Sequence, residues 1–285
     1  MAGWRLSIEF AARHVENVAT PHCADRHAMK IATWNVNSLR VRLPHLLDWL
    51  RDAQPDVVGV QELKCIEEKF PFAELEAAGY QSAVNGQKTY NGVAILSRHA
   101  LSEVSRDLPD FADEQKRVIA ATVNGVRVIN VYVVNGQDLG TEKYDYKLRW
   151  LEALQNYVQA QQAQYPRLVV TGDFNIAPAS EDTHDPAIWD GKILCSEPER
   201  AAFQRLLALG LKDSFRLFEQ APQSFTWWDY RQAGFRRNLG LRIDHVLASE
   251  ALARDCRSCV VDLAPRRLER PSDHAPVIAE FVAAN

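Results

Sequence analysis

Thr171-Gly172-Asp173-Phe174-Asn175 follows an apolar run, Leu168-Val169-Val170, that reads as a buried strand. Gly172 lets the backbone turn, and in an extended chain Asp173 and Asn175, two positions apart, project to the same side. A carboxylate can act as a base or a metal ligand, whereas a carboxamide can only hydrogen-bond and orient. Asn35, Glu62, Asp244, Asp273 and His274 also stand at or beside the ends of predicted strands. Each alone has an ordinary explanation as a turn residue or a solvated loop group. As a set they are harder to dismiss, because converging acids repel one another and take raised pKa values unless a cation joins them. A hard divalent ion such as Mg²⁺, with few protein oxygens and several waters, meets that need. One His among the acids suits proton transfer or charge stabilisation rather than a soft-metal site.

These groups need strand ends to carry them. Residues 30–35 read as a first strand ending in Asn35, and Ser38 is a plausible N-cap for an amphipathic helix over 39–53, where Leu43, Leu46, Leu47 and Leu50 recur at helical spacing. Residues 57–60 form a short buried strand ending at Gln61-Glu62, and 71–78 a short helix closed by Gly79. Paired strands follow at 80–84 and 92–97. Asn124-Gly125 between apolar runs at 117–123 and 126–134 signals a hairpin with a type I′ turn. Helices are expected over 142–164 and 198–209, an aromatic stretch over 225–230, a strand over 242–247 that contains Asp244, and a last strand over 277–281. No linker divides residues 29–285, so one domain is expected, with sheets in the middle and helices outside.

Composition narrows the function. The net charge of −4 means that any phosphate-binding surface must be local, and Arg231, Arg236, Arg237, Arg242, Arg266, Arg267 and Arg270 supply candidates in the last third. No apolar run reaches transmembrane length. Five scattered cysteines, with Cys256-Arg-Ser-Cys259 as the lone close pair, argue against a disulfide framework or structural zinc and fit a reducing cytosol. Residues 1–28 contain Glu9, Glu16 and Asp25, unlike a transit peptide, and Met29-Lys30 resembles a natural start. That segment is expected to be a loosely ordered, dispensable extension.

Trp34-Asn35-Val36-Asn37, Gln61-Glu62, Asn130-Val131-Tyr132, Gly172-Asp173-Phe174-Asn175, Arg242-Ile243-Asp244 and Ser272-Asp273-His274-Ala275-Pro276 together resemble the exonuclease III family of apurinic/apyrimidinic endonucleases. The likeness runs in order through nearly all of residues 29–282. It implies a four-layered α/β sandwich of the DNase I-like type. It also implies Mg²⁺-dependent hydrolysis of the phosphodiester 5′ to an abasic site, with removal of 3′ blocking groups or 3′-terminal nucleotides from duplex DNA, in base excision repair. Mn²⁺ is expected to substitute for Mg²⁺. The expected enzyme is a cytoplasmic monomer with no membrane partner.

By resemblance, Glu62 is the principal metal ligand, Asn35 a metal-site or phosphate-orienting partner, and Asp273 a metal or second-metal ligand. Asp173 activates the attacking water, and Asn175 holds phosphate or water; both, with His274, belong to the metal neighbourhood. His274, oriented by Asp244, hydrogen-bonds a phosphate oxygen, and Tyr132 donates to the phosphate or the departing oxyanion. Trp227, Leu241 and Ile243 align with the apolar walls of a pocket for a flipped-out sugar, and Asn135 lies where the family reaches into the DNA. Other phosphodiesterases of the endonuclease/exonuclease/phosphatase superfamily, acting on DNA, RNA, phospholipid or inositol phosphate, are the alternative; they carry His where this chain has Tyr132. A scaffold protein on a decayed fold would have lost catalytic groups that are kept here. Two departures stand out: Val133-Val134-Asn135-Gly136 lacks a proline common in the family, which bears on the balance of activities, and Asn37 replaces an acid found in some members.

Overall fold

The computed structural model describes residues 28–282. In chain order its strands and helices are β1 (Ala28–Asn35), α1 (Leu39–Ala53), β2 (Val57–Gln61), α2 (Phe72–Ala77), β3 (Gln81–Asn85), β4 (Val93–Ser97), β5 (Ser102–Arg106), β6 (Val118–Val123), β7 (Val126–Tyr132) and α3 (Glu142–Gln164). There follow β8 (Leu168–Asp173), α4 (Pro186–Trp189), α5 (Glu197–Ala208), β9 (Leu211–Asp213), β10 (Trp227–Trp228), β11 (Gly240–Leu241), β12 (Asp244–Ser249), α6 (Glu250–Ala253), β13 (Cys256–Val261) and β14 (Val277–Val282). The proposed extension lies outside the described residues, apart from Ala28, which opens β1.

Two six-stranded sheets, ordered β13-β14-β1-β2-β4-β3 and β5-β6-β7-β8-β12-β9, share a central apolar layer. The two-residue period of the strands builds the layers. Ile31 faces the other sheet in that layer, while Ala32 and Trp34 turn outward onto Leu46, Trp49 and Leu50 of α1. On the far side β8 alternates in the same way: Val169 faces inward, and Leu168 and Val170 pack under Trp150, Leu154 and Val158 of α3 and Phe203 of α5. The result is the four-layered α/β sandwich expected from the sequence.

A polar pin crosses the central layer. Asn130 of β7 donates from Nδ2 to the Val60 carbonyl (3.0 Å) and the Ala94 carbonyl (2.8 Å), and its Oδ1 accepts from Gln61 Nε2 (2.6 Å). A Cβ on Gly59 would lie 2.7 Å from Asn130 Oδ1, so glycine in β2 makes room for the pin. This contact ties the end of β2, which leads into Glu62, to the end of β7, which carries Tyr132.

Local expectations fared unevenly. Asn124 and Gly125 both have positive φ (47° and 76°), as a type I′ turn requires. Ser38 is no side-chain cap: its φ is 86°, and its backbone N–H instead donates to the Glu62 carbonyl (2.8 Å). The start of α1 is thus tied to the segment after β2 rather than capped locally. The β5 strand, polar and mostly exposed, carries no alternation that could have announced it.

Candidate active site

Strand register gathers the groups at one end of the sandwich. Asn35 ends β1 level with Gln61 of the parallel β2, which places Glu62 beside it. Tyr132 of β7 is level with Asp173 of β8, and Asp173 pairs with Asp244 of the antiparallel β12. His274 lies just before β14, which runs antiparallel to β1 and so delivers it to the same end. A Cβ at Gly172 would meet the Val131 carbonyl at 1.9 Å, so only glycine lets β7 and β8 approach so closely next to Asp173.

Glu62, Asp173 and His274 each offer a ligand atom within 4.8 Å of one another. Buried Asn35 donates from Nδ2 to Glu62 Oε1 and to Asp173 Oδ2, both at 2.9 Å, and links the two sheets through a single amide. Tyr132 donates its phenol proton to Glu62 Oε1 (3.0 Å). Burial, then the charges of Glu62 and Asp173, push the Tyr132 phenol well above its ordinary value, so it stays a proton donor. His274 meets Asp244 through Nδ1 (2.9 Å to Oδ2) and faces Asp173 Oδ2 from Nε2 (3.7 Å). Burial alone would lower the imidazole pKa, but Asp244 and Asp173 raise it, which favours the imidazolium. Burial raises the Asp173 carboxyl, against the opposing pull of His274 and the Asn35 amide.

Asn175 departs from the expected geometry. The strand ends at Asp173 and Asn175 has φ 49°, so the two are not same-face strand neighbours. A tight turn brings the Asn175 N–H onto Asp173 Oδ1 (2.9 Å), and its side chain donates to the Val133 carbonyl (3.0 Å). Asn135 Nδ2 in turn donates to Asn175 Oδ1 (3.0 Å), which joins it to the cluster. Asp273 stands slightly apart, with Oδ1 on Asn37 Nδ2 (2.9 Å) and Oδ2 on the Trp227 indole N–H (3.0 Å). Trp227 is half-buried beside Leu241 and Ile243. Leu241 and Ile243 are covered by Ala177, Leu194 and Cys195, at 0% and 2% exposure, so these walls are closed over rather than open. Leu194, at φ 70°, holds a left-handed backbone that a branched side chain disfavours.

Several participants were not foreseen. Lys64 donates to Glu62 Oε2 (2.8 Å) and Asn37 Oδ1 (2.6 Å); its place two residues after Glu62 was the available signal. Lys147 sits buried beneath the Asn135 and Asn175 loops, and nothing in its polar helix pointed there. Two of the candidate arginines are too deeply buried to touch phosphate. Arg242 is 1% exposed and paired with Asp182 (2.7 Å) and Asp213 (2.8 Å), whose charges raise its pKa against the cost of burial. Arg266 is buried on the Ser272 carbonyl (2.5 Å). Arg231, Arg236, Arg237, Arg267 and Arg270 remain exposed. No helix among the described residues is long and apolar enough to cross a membrane.

Two packed sheets with carboxylate, imidazole, phenol and amide groups gathered at one end define the DNase I-like class of phosphoester hydrolases. Residues 32–274 match the Endonuclease/Exonuclease/phosphatase family. An exodeoxyribonuclease III of Haemophilus influenzae is 39% identical over 89% of this chain and 100% of its own length. Among solved structures, the 3′ phosphatase NExo from Neisseria, bound to a product DNA hairpin, superposes with a TM-score of 0.87 at 54% identity, over 89% of this chain and 99% of that one. An AP endonuclease from Archaeoglobus fulgidus gives 0.85 at 39% identity over the same shares. The chain belongs to the endonuclease/exonuclease/phosphatase family, in its exonuclease III branch of AP endonucleases.

Proposed function

We propose that this chain is a Mg²⁺-dependent DNA-repair nuclease that hydrolyses the phosphodiester 5′ to an abasic site and clears blocking groups or nucleotides from 3′ ends of duplex DNA. The observation that carries the reading is the convergence of Glu62, Asp173 and His274, drawn from both sheets, within 4.8 Å. The related proteins are named an exodeoxyribonuclease III, a 3′ phosphatase bound to a product DNA hairpin and an AP endonuclease, which supports the substrate class. The proposed working unit is a monomer in the cytoplasm; elution of the pure chain at 32.2 kDa checks the first point.

The donor set fits a hard cation. Two carboxylates share one buried amide partner, and burial raises one of them, a crowding that a divalent ion relieves. Glu62 and Asp173, with Asn35, Asn175 and Asp273 around them, would hold Mg²⁺, or Mn²⁺ in its place; His274, as an imidazolium, stands beside the ion without ligating it. When bound, the ion supplies charge neutralisation at the phosphate. In the proposed reaction Asp173 takes a proton from the attacking water, whose oxygen forms the new bond to phosphorus as the bond to the 3′ oxygen breaks. Asn175 orients the water or a phosphate oxygen. The His274 imidazolium, held by Asp244, hydrogen-bonds a non-bridging oxygen whose negative charge grows. Tyr132, kept protonated by burial, donates to the phosphate or the departing 3′ oxygen, which ends as a hydroxyl.

Incision of a duplex with one tetrahydrofuran abasic analogue, of a duplex ending in a 3′-phosphate, and of an undamaged duplex tests this directly. Mg²⁺-dependent cleavage of damaged substrates is expected, with loss of roughly 10²–10⁴-fold in Asp173→Asn and His274→Ala. Undiminished rates in either variant, or equal cleavage of undamaged DNA, would overturn it. The covered state of Leu241 and Ile243 favours a second reading, in which 3′-end removal dominates over internal incision. Leu194→Gly opens that slot and relieves a strained backbone, so it should raise the ratio of internal incision to 3′-phosphate removal. An unchanged ratio would leave the slot without influence on substrate choice.

A further inference from the structure

Lys147 lies on α3 with no exposed surface, and its ammonium has three acceptors. It donates to the Asn175 carbonyl at 2.7 Å, to the Asn135 carbonyl at 3.1 Å, and to a carboxylate oxygen of Glu199. Three N–H donors and three acceptors leave the group fully satisfied. Glu199, equally buried on α5, also accepts from the Leu194 N–H (3.1 Å), the Ser196 N–H (3.0 Å) and the Ser196 hydroxyl (2.6 Å). The pair therefore grips three segments at once: the loop after β7, the loop after β8, and residues 194–196 beside the apolar slot. The lysine stem packs under Gly136, where a Cβ would come within 3.0 Å of Lys147 Cδ.

A buried ion pair is rarely better than apolar packing for stability alone, so its presence calls for another account. Here its acceptors supply one. The two carbonyls it holds belong to Asn135 and Asn175; their side-chain amides bond each other, and the Asn175 backbone N–H donates to Asp173 Oδ1. We infer that Lys147, with Glu199, is a positioning residue for phosphoester hydrolysis. It fixes the backbone of Asn135 and Asn175 so that Asn175, backed by the Asn135 amide, meets the water or the reacting phosphate, and it touches no substrate itself. This rests on the proposed role of Asn175, so the experiment tests both separately.

Single-turnover kcat, KM for the damaged duplex, Kd for the same duplex in EDTA, and Tm are measured for the full chain and for Lys147→Met, Lys147→Met/Glu199→Gln, Lys147→Arg and Asn175→Ala. Lys147→Met should lower kcat roughly 10–100-fold, as misplacement by about an ångström does, with KM and Kd little changed. The double variant removes the stranded carboxylate, so it should regain Tm without regaining kcat. Lys147→Arg should restore much of the rate, because it keeps the charge and several donors. A kcat that returns with Tm in the double variant, or an undiminished kcat in Lys147→Met, overturns the inference. If Lys147→Met does not fold, the double variant decides by its kcat alone. If Asn175→Ala keeps full activity, the proposed role of Asn175 fails instead; if it loses activity while both Lys147→Met variants keep theirs, only the positioning role fails.

Discussion

Lowering the pH should loosen this fold through His245. In the folded chain its Nδ1 accepts from the Arg242 guanidinium (3.0 Å) and its Nε2–H donates to the Ile176 carbonyl (3.0 Å). A second proton would have to sit on Nδ1, facing an N–H of a cation. Burial first, and then the Arg242 charge, hold the imidazole down at about 4, against an ordinary 6.5. Because the folded value is depressed, the stabilisation is complete above the unfolded value and is lost as pH falls from 6.5 toward about 4. At ~1.4 kcal/mol per unit, that interval is worth about 3 kcal/mol. His245→Gln keeps one donor and one acceptor but does not titrate. Urea unfolding of both proteins in EDTA, from pH 7.5 to 4, isolates the effect, since other titrating groups are common to the two. The wild-type advantage should shrink by about 3 kcal/mol across the range. A constant advantage, or an imidazole NMR titration near 6.5 in the folded protein, would refute the reasoning.

Two further perturbations probe the frame and the surface. Gly59→Ala drives a methyl into Asn130 and strips the Val60 and Ala94 carbonyls of their partner, at a cost of about 2–4 kcal/mol for two buried orphans. Calorimetry should show a Tm lower by roughly 5–10 °C, and an unchanged Tm would mean the pin carries no weight. Arg236→Gln/Arg237→Gln should weaken duplex binding and flatten its dependence on log salt by as much as about two units if both touch phosphate. An unaltered slope would remove these two exposed arginines from the DNA-contacting set.

The large apolar strands and the helices over α1, α3 and α5 were legible because their periodicity answers to one layer each. Ile31 against Trp34, or Val169 against Val170, declares which sheet face is which. The strand-end position of Asn35, Glu62, Asp173, Asp244 and His274 was legible too, since each follows or opens an apolar run. What pairs with what was not. That Arg242 would be spent on Asp182 and Asp213 depends on contacts 60 and 29 residues away in sequence. Arginine looks the same in a buried pair and on a DNA-facing surface. Asn175 was placed on the right side for the wrong reason, because a left-handed turn cannot be told from an extended continuation at a single Asn. Lys147 gave no signal in its polar helix, and Glu199 offered only the Ser196-Glu-Pro-Glu199 capping pattern, which announces a helix start and not a buried partner for Lys147.

β14, the last of the described strands, lies between β1 and β13, and His274 arrives only with the turn that feeds it. Asn35 and Glu62 are made before His274. The first sheet therefore stays open, and the cluster short of its imidazole, until synthesis has passed β14. A chain that stops short of His274 has both an unpaired β1 edge and no imidazole, and so lacks a group on which the proposed hydrolysis depends. The order of the strands thus ties closure of the first sheet to completion of the cluster.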